Sequence, residues 1–217
     1  MQKESNIVIQ FWYELASTYS YPAASRIENE ARKLGVTVQW QPFLLGPILS
    51  RLGWNTSPFN LQPAKGRYMW RDLERLCEFY GLKFRRPEHF PQHSLLATRT
   101  AQSLIETEHC KNFTLAVYEA QFVHGRDISK KETLLDILNT IVDEPEQTLS
   151  RASQPGVKQA LKSSVERADS LGIFGAPSFI TTDGELFWGN DRLEAALQWA
   201  CRCSKVGSKA ISKEPFA

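Results

Sequence analysis

The sequence predicts an α/β fold in which a βαβ unit at the beginning and a ββα unit at the end enclose an all-helical insertion. Three observations carry this reading. Apolar strand patterns at residues 7–15 and 36–44 flank a segment of helical spacing. Residues 47–171 show repeated helical patterns and no strand pattern of comparable strength. Near the end, SFITT (178–182) and ELFW (185–188) are joined by Asp183-Gly184 and precede a last helix.

Taken in order, IVIQFWYEL (7–15) reads as a buried strand. Residues 20–34 follow with Ala23, Ala24, Ile27, Ala31 and Leu34 at helical spacing, and Gly35 stops the helix. VTVQWQPFL (36–44) alternates Val36, Val38 and Trp40 and is closed by Pro42 and Gly46-Pro47. Strand, helix, strand at this spacing is a βαβ unit, which makes the two strands a parallel pair. A loop rich in Gly, Pro, Asn and Ser (Gly53 to Gly66) leads into RYMWRDLERLCEFY, where Met69, Leu73, Leu76 and Tyr80 form one helical face ended by Gly81. Further helical patterns run over 94–108, 112–123, 131–142 and 155–171. After the terminal hairpin, Asn190 is the expected N-cap of a last helix with Leu193, Leu197 and Ala200 inward. The arrangement is a thioredoxin-like fold split by a helical domain. Its expected divisions are 1–46 with 172–204 for the thioredoxin-like part, 47–171 for the insertion and 205–217 for a polar tail.

Composition narrows the function classes. A net charge of +2 over 217 residues, with no block of like charge, argues against nucleic acid as a partner. MQKESNIVIQF lacks the apolar core and cleavage site of a secretory signal, and no apolar run approaches a membrane span. Cys77, Cys110, Cys201 and Cys203 lack the spacing of a disulfide framework, so a cytoplasmic protein with reduced thiols is expected. His89 and His93 have i, i+4 spacing, but Pro91 between them opposes the helix that spacing needs, and Cys201-Arg202-Cys203 is too small a set for zinc; no metal site is expected.

The informative stretch is Ala16-Ser17-Thr18-Tyr19-Ser20-Tyr21-Pro22, where the first strand gives way to the first helix. Unpaired N–H groups at a helix start favour an anion or a thiolate placed there. Ser17 and Ser20 stand where a Cys-x-x-Cys pair would make the junction a disulfide exchanger, so dithiol exchange at this point is excluded. A serine here is either a plain N-cap or a hydrogen-bond donor to a sulfur that arrives with a cofactor.

Four pieces in order decide between these: the Ser17 junction, Pro63-Ala64-Lys65-Gly66, Gly172-Ile173-Phe174-Gly175-Ala176-Pro177, and Trp188-Gly189-Asn190-Asp191-Arg192-Leu193. With them the chain resembles the 2-hydroxychromene-2-carboxylate isomerases, relatives of the kappa-class glutathione transferases and, more distantly, of the DsbA-like disulfide oxidoreductases. The match runs to about residue 203; one departure is Thr18, where relatives often have proline. The resemblance implies a glutathione-dependent isomerase converting 2-hydroxychromene-2-carboxylate to trans-o-hydroxybenzylidenepyruvate, in naphthalene-type aromatic degradation. It implies Ser17 as the catalytic group, hydrogen-bonding the glutathione sulfur. A cis bond at Ala176-Pro177 would present Ala176 to the cysteinyl backbone of glutathione, with Asn190 and Asp191 at its γ-glutamyl end and Lys65 and Asn55 at its glycine carboxylate. It further implies a small aromatic carboxylate as substrate, no membrane partner, and a homodimer.

On the substrate side, Phe43, Trp54, Trp70 and Tyr19 are candidates for an aromatic pocket, and Arg67, Arg71, Arg85 and Arg86 for a carboxylate contact, although Arg71 with Glu74 or Glu78 equally suits a helix-surface pair. Two alternatives stand beside the isomerase: a kappa-type glutathione transferase with the same thiolate site, and a non-catalytic glutathione- or peptide-binding module.

Overall fold

The strand β1 (Ile7–Tyr13) leads into α1 (Ser20–Lys33), which returns the chain to β2 (Val36–Pro42), parallel to β1 with Ile7 opposite Val36 and Tyr13 opposite Pro42. The structure, a computed structural model, describes residues 7–54 and 56–206. Helices α2 (Gly46–Arg51), α3 (Pro58–Leu61), α4 (Pro63–Phe79), α5 (Leu95–Ser103), α6 (His109–Phe122), α7 (Lys131–Leu138), α8 (Pro145–Arg151) and α9 (Pro155–Ser170) follow. The chain then forms β3 (Ser178–Thr181), β4 (Leu186–Trp188), a 3-10 turn (Asn190–Arg192) and α10 (Leu193–Val206). β3 runs antiparallel to β1 and β4 antiparallel to β3, in the order β2-β1-β3-β4.

β1 is apolar on both faces because both are covered. Successive strand residues point to opposite sides of a sheet. Ile7, Ile9, Phe11 and Tyr13 join a cluster with Ala23, Ala24, Ile27 and Ala31 of α1 and Leu193, Leu197 and Ala200 of α10. Trp12 points the other way, to Phe43, Ile48 of α2, and Val165 and Ala168 of α9. Phe11 lies 5.2 Å from Tyr13, 5.0 Å from Trp40 and 5.6 Å from Phe179, measured between ring centres. Each fully buried aromatic of this kind contributes about 1.5–3 kcal/mol, so the centre of the sheet, not its three-residue edge strand β4, holds this layer together.

The antiparallel setting of β3 against β1 positions the site. It puts the exit of β1, with the turn that carries Ser17, beside the entry of β3, with Ala176 and Pro177. The Ala176–Pro177 peptide bond is cis.

Three helices depart from the sequence expectation. α2 begins at the Gly46-Pro47 pair expected only to close the second strand, α3 lies in the segment expected to be loop, and α8 has no sequence counterpart. Proline explains the difference. Pro47, Pro58, Pro63, Pro145 and Pro155 all stand in the first turn of a helix, where a missing N–H costs nothing because that donor is unpaired anyway. Pro63-Ala64-Lys65-Gly66, expected as a turn, is therefore the first turn of α4. Gly66 is fixed by packing: a Cβ there would collide with the carbonyl oxygen of Phe59 on α3. Asn190 does not cap α10, which begins three residues later after the 3-10 turn. α10 extends to Val206; the remainder of the expected polar tail, residues 207–217, lies outside the described residues, as does Asn55.

Candidate functional site

Ser17 sits half-buried where β1 ends, and its hydroxyl makes two hydrogen bonds. The oxygen accepts from the Ser20 N–H at 3.2 Å and the hydroxyl donates to the Ala176 carbonyl at 3.0 Å. The first bond satisfies the N–H of the first residue of α1, as a cap does, from two residues ahead of the N-cap position at Tyr19; the second joins the helix start to the loop ahead of β3 across 159 residues of chain. Three backbone donors at this place have no hydrogen-bond partner among the described residues: the N–H groups of Thr18, Tyr19 and Ala176. The first two form the positive end of α1. Ser17 and Ser20, three positions apart, put hydroxyls and no cysteine thiol at the start of α1.

α4 walls one side. Thr18 Oγ1 lies 3.1 Å from Met69 Sδ, and the Tyr19 hydroxyl donates to Asp72 Oδ2 at 3.0 Å. Burial first, then that bond and the Asp72 charge, push the Tyr19 hydroxyl well above its ordinary pKa, so it remains a neutral donor. The Tyr19 ring is 6.2 Å from Phe59, and Lys65 Nζ lies 5.8 Å from the Phe59 ring centre. Lys65 has no ion-pair partner among the described residues.

The opposite side is built by the terminal segment. Gly189 donates its N–H to the Pro177 carbonyl at 2.9 Å, which docks the turn bearing Asp191 against the proline. Gly189 has φ 111, and the space a Cβ would fill is taken by Asp191 Oδ1; only glycine combines that backbone with that contact. Asp191 is exposed, with Oδ2 3.4 Å from Arg192. Asn190 is turned inward and 2 % exposed, its Oδ1 accepting from Arg26 Nη2 at 3.1 Å. Its Nδ2 and the Arg26 Nε are buried without a hydrogen-bond partner. Arg26 also pairs with Glu194 at 2.5 Å and lies 3.7 Å over the Tyr80 ring. Trp188 packs edge-on to Phe174 with ring centres 4.8 Å apart, and its indole occupies the place of any Cβ on Gly175.

Sequence reasoning passed over Glu14, and the signal was a carboxylic acid directly after an apolar strand. It is 8 % exposed and has no cation partner among the described residues. Its Oε1 accepts from Ser94 Oγ at 2.6 Å and from the Ala16 N–H at 3.3 Å, while Oε2 accepts from the Leu45 N–H at 2.9 Å. Its backbone carbonyl accepts from the Ser17 N–H and from the Tyr118 hydroxyl, both at 2.9 Å.

The other candidates scatter. Phe43 is buried against Trp12, and Trp70 is buried beside Phe90, so neither walls an open pocket; Trp54 is exposed. Arg71 is a helix-surface partner of Glu74 at 2.8 Å. Arg86 lies 4.7 Å over the Trp70 ring. Cys77 and Cys110 are buried, and burial pushes both thiols up to about 11. Among the described residues no group of three or more His, Cys, Asp or Glu side chains is placed to hold a metal ion, and no helix is long and apolar enough to cross a membrane.

The chain is similar in sequence and in fold to known proteins. Over 203 residues the chain is 27 % identical to glutathione S-transferase kappa 1 of Homo sapiens, covering 86 % of this chain and 87 % of that protein. Over 189 residues it is 24 % identical to 2-hydroxychromene-2-carboxylate isomerase of Sphingobium xenophagum, covering 86 % and 94 %. A solved structure of a 2-hydroxychromene-2-carboxylate isomerase superposes with a TM-score of 0.81 at 19 % identity, over 94 % of this chain and all of that one, which establishes the shared fold. The DSBA-like thioredoxin domain model matches residues 8–198, from the second residue of β1 into α10. The chain therefore belongs to the family of DSBA-like thioredoxin domains.

Proposed function

We propose that this protein is a cytoplasmic glutathione-dependent enzyme, acting as an isomerase on an unsaturated aromatic carboxylate of the 2-hydroxychromene-2-carboxylate type. The observation that carries the reading is the hydrogen bond from Ser17 to the Ala176 carbonyl, surrounded by three unpartnered backbone donors. The residues present suit a γ-glutamyl tripeptide. Ala176 offers a free N–H and a carbonyl side by side, as an extended peptide requires. Asp191 supplies an exposed carboxylate for an ammonium, and Lys65 an ammonium with no ion-pair partner among the described residues for a carboxylate. The neighbouring Asn190 fixes the turn from within, through Arg26. When bound, glutathione supplies the nucleophilic sulfur that the Ser17 junction lacks.

The chain's own contribution is positional and electrostatic. The Ser17 hydroxyl has one hydrogen, and in the free protein it goes to Ala176. A peptide N–H brought to that carbonyl competes for it and frees the Ser17 O–H to turn toward sulfur. The cap bond from Ser20 keeps the oxygen in place while its hydrogen changes partner. The free N–H groups of Thr18 and Tyr19, at the positive end of α1, add to the stabilisation of negative charge there. Tyr19, held neutral by burial and then by Asp72, offers an aromatic face two residues from Ser17 without adding a charge that would oppose a thiolate.

The test is an ultraviolet difference titration with glutathione across pH. A saturable thiolate signal, with a pKa below the roughly 8.5 of a free thiol, supports the reading; no signal at millimolar glutathione overturns it. The kappa-transferase resemblance favours a second outcome at the same site. A stable glutathione conjugate, in place of an isomerised product with glutathione returned, would select it.

A further inference from the structure

We propose that Glu14 is the positioning residue of this site, its buried carboxyl clamping the Ser17 turn against two neighbouring segments and so setting the direction of the Ser17 hydroxyl. This rests on the functional reading above and names a group outside it. Glu14 lies three residues before Ser17, and its side-chain carboxyl touches none of the residues assigned to glutathione. Its two side-chain oxygens collect donors from three places: Ala16 in the Ser17 turn, Leu45 at the entry to α2, and Ser94 at the start of α5. Its carbonyl takes the Ser17 N–H itself and the Tyr118 hydroxyl of α6. One residue thus ties the turn to the helices on either side.

The chemistry of the clamp depends on two acceptor oxygens. Both Ala16 and Leu45 present backbone N–H groups, which cannot reverse their role. An amide in place of the carboxyl sets an NH2 against one of them in either orientation. If it replaces Oε1, Ala16 loses its acceptor and the Ser17 turn is released directly. If it replaces Oε2, Leu45 loses its acceptor and the segment behind the turn is released. Ser94 adapts to either, since a hydroxyl both donates and accepts.

The experiment compares wild type with Glu14→Gln, and with Ser94→Ala as a milder variant that keeps the carboxyl and removes one of its donors. The first readout needs no ligand: amide hydrogen exchange resolved at Ser17, Ser20 and Leu45. Glu14→Gln is expected to speed exchange at Ser17 and Ser20 by roughly tenfold, with strands β1 and β3 changed far less, as local rather than global opening requires. Ser94→Ala is expected to give the same pattern at about two- to threefold. The second readout is the bound glutathione thiol, whose pKa should rise by about one unit in Glu14→Gln while the dissociation constant of the tripeptide changes less than about threefold. A merely structural role would weaken binding or stability generally and leave that pKa alone. Unchanged exchange at Ser17 and Ser20 in both variants overturns the proposal; should Glu14→Gln fail to fold, unchanged exchange in Ser94→Ala does so. Loosened exchange in a protein that binds no glutathione keeps the clamp and discards the glutathione reading.

Discussion

Replacing Ser17 by alanine removes one oxygen with two roles, and the structure separates their costs. The Ser20 N–H loses its acceptor at 3.2 Å, a cap worth about 1 kcal/mol. The Ala176 carbonyl loses a donor at 3.0 Å, worth about another 1 kcal/mol less whatever water recovers at this half-buried position. The folded state should therefore weaken by roughly 1–2 kcal/mol, lowering Tm by about 2–8 °C for a chain of this size. Catalysis should suffer more. A hydrogen bond to a charged sulfur is worth about 1.5–3 kcal/mol, so kcat/KM should fall roughly ten- to a hundredfold. The pKa of the bound thiol should rise by about 1–2 units. Ala176 keeps its N–H and its carbonyl for the peptide and Asp191 is unaltered, so glutathione affinity measured well below that pKa should change by less than about threefold. Calorimetry, the thiolate absorbance titration and initial rates on one preparation supply all three numbers. Unaltered turnover together with an unaltered thiol pKa would refute the assignment, and loss of binding without a shift in pKa would show that Ser17 holds the peptide and not the sulfur.

Asp191→Asn and Lys65→Met should each raise the KM for glutathione roughly three- to thirtyfold with kcat nearly constant, because both are expected to act on uniform binding; steady-state kinetics at varied glutathione check this. Gly66→Ala should lower stability by about 1–3 kcal/mol, since its methyl would meet the backbone of α3 and not a movable side chain; urea midpoints measure it, and no change would contradict the close approach of α3 and α4. Burial raises the pKa of Glu14 against the hydrogen bonds from Ser94, Leu45, Ala16 and Leu15 that lower it, with Tyr118 the titratable group facing it from α6. A carboxyl raised in the folded state gives stability that is complete below its unfolded pKa of about 4.3 and is lost as pH rises through the folded value. The urea stability of wild type should accordingly decline over that interval, and Glu14→Gln should show a shallower slope.

The elements legible in the sequence are those whose burial imposes a period. β1 is continuous because Phe11 and Trp12 are buried in different clusters. α1 is marked by Ala23, Ile27 and Ala31 at helical spacing, and the hairpin by Asp183-Gly184, with Gly184 at φ 86. The short helices were hidden because their prolines read as breaks, although Pro58 and Pro145 begin helices. Asn190 misled for a related reason. Its capping propensity is local, whereas its carboxamide is held by Arg26, 164 residues away along the chain. Ser17, Ala176 and Asp191 were singled out by motif, whereas the Ser17–Ala176 and Gly189–Pro177 hydrogen bonds that draw their segments near one another come from strand order, which no single segment specifies. Glu14 escaped notice because its partners Leu45, Ser94 and Tyr118 belong to three separate segments and none forms a pattern with it.

The buried thiols have a consequence for life beside a thiol tripeptide. With values near 11, Cys77 and Cys110 carry thiolate in only about one molecule in ten thousand at neutral pH. Attack on a disulfide requires the thiolate and access to it. If the chain binds glutathione as proposed, it also meets the oxidised dimer, and a reactive core sulfur would be captured as a mixed disulfide that splits the packing around it. Buried as they are, Cys77 in the apolar core and Cys110 beside the Tyr13 hydroxyl, these two cysteines are spectators of any redox traffic outside, so sulfur chemistry at the surface would leave the interior inert to the same reagent.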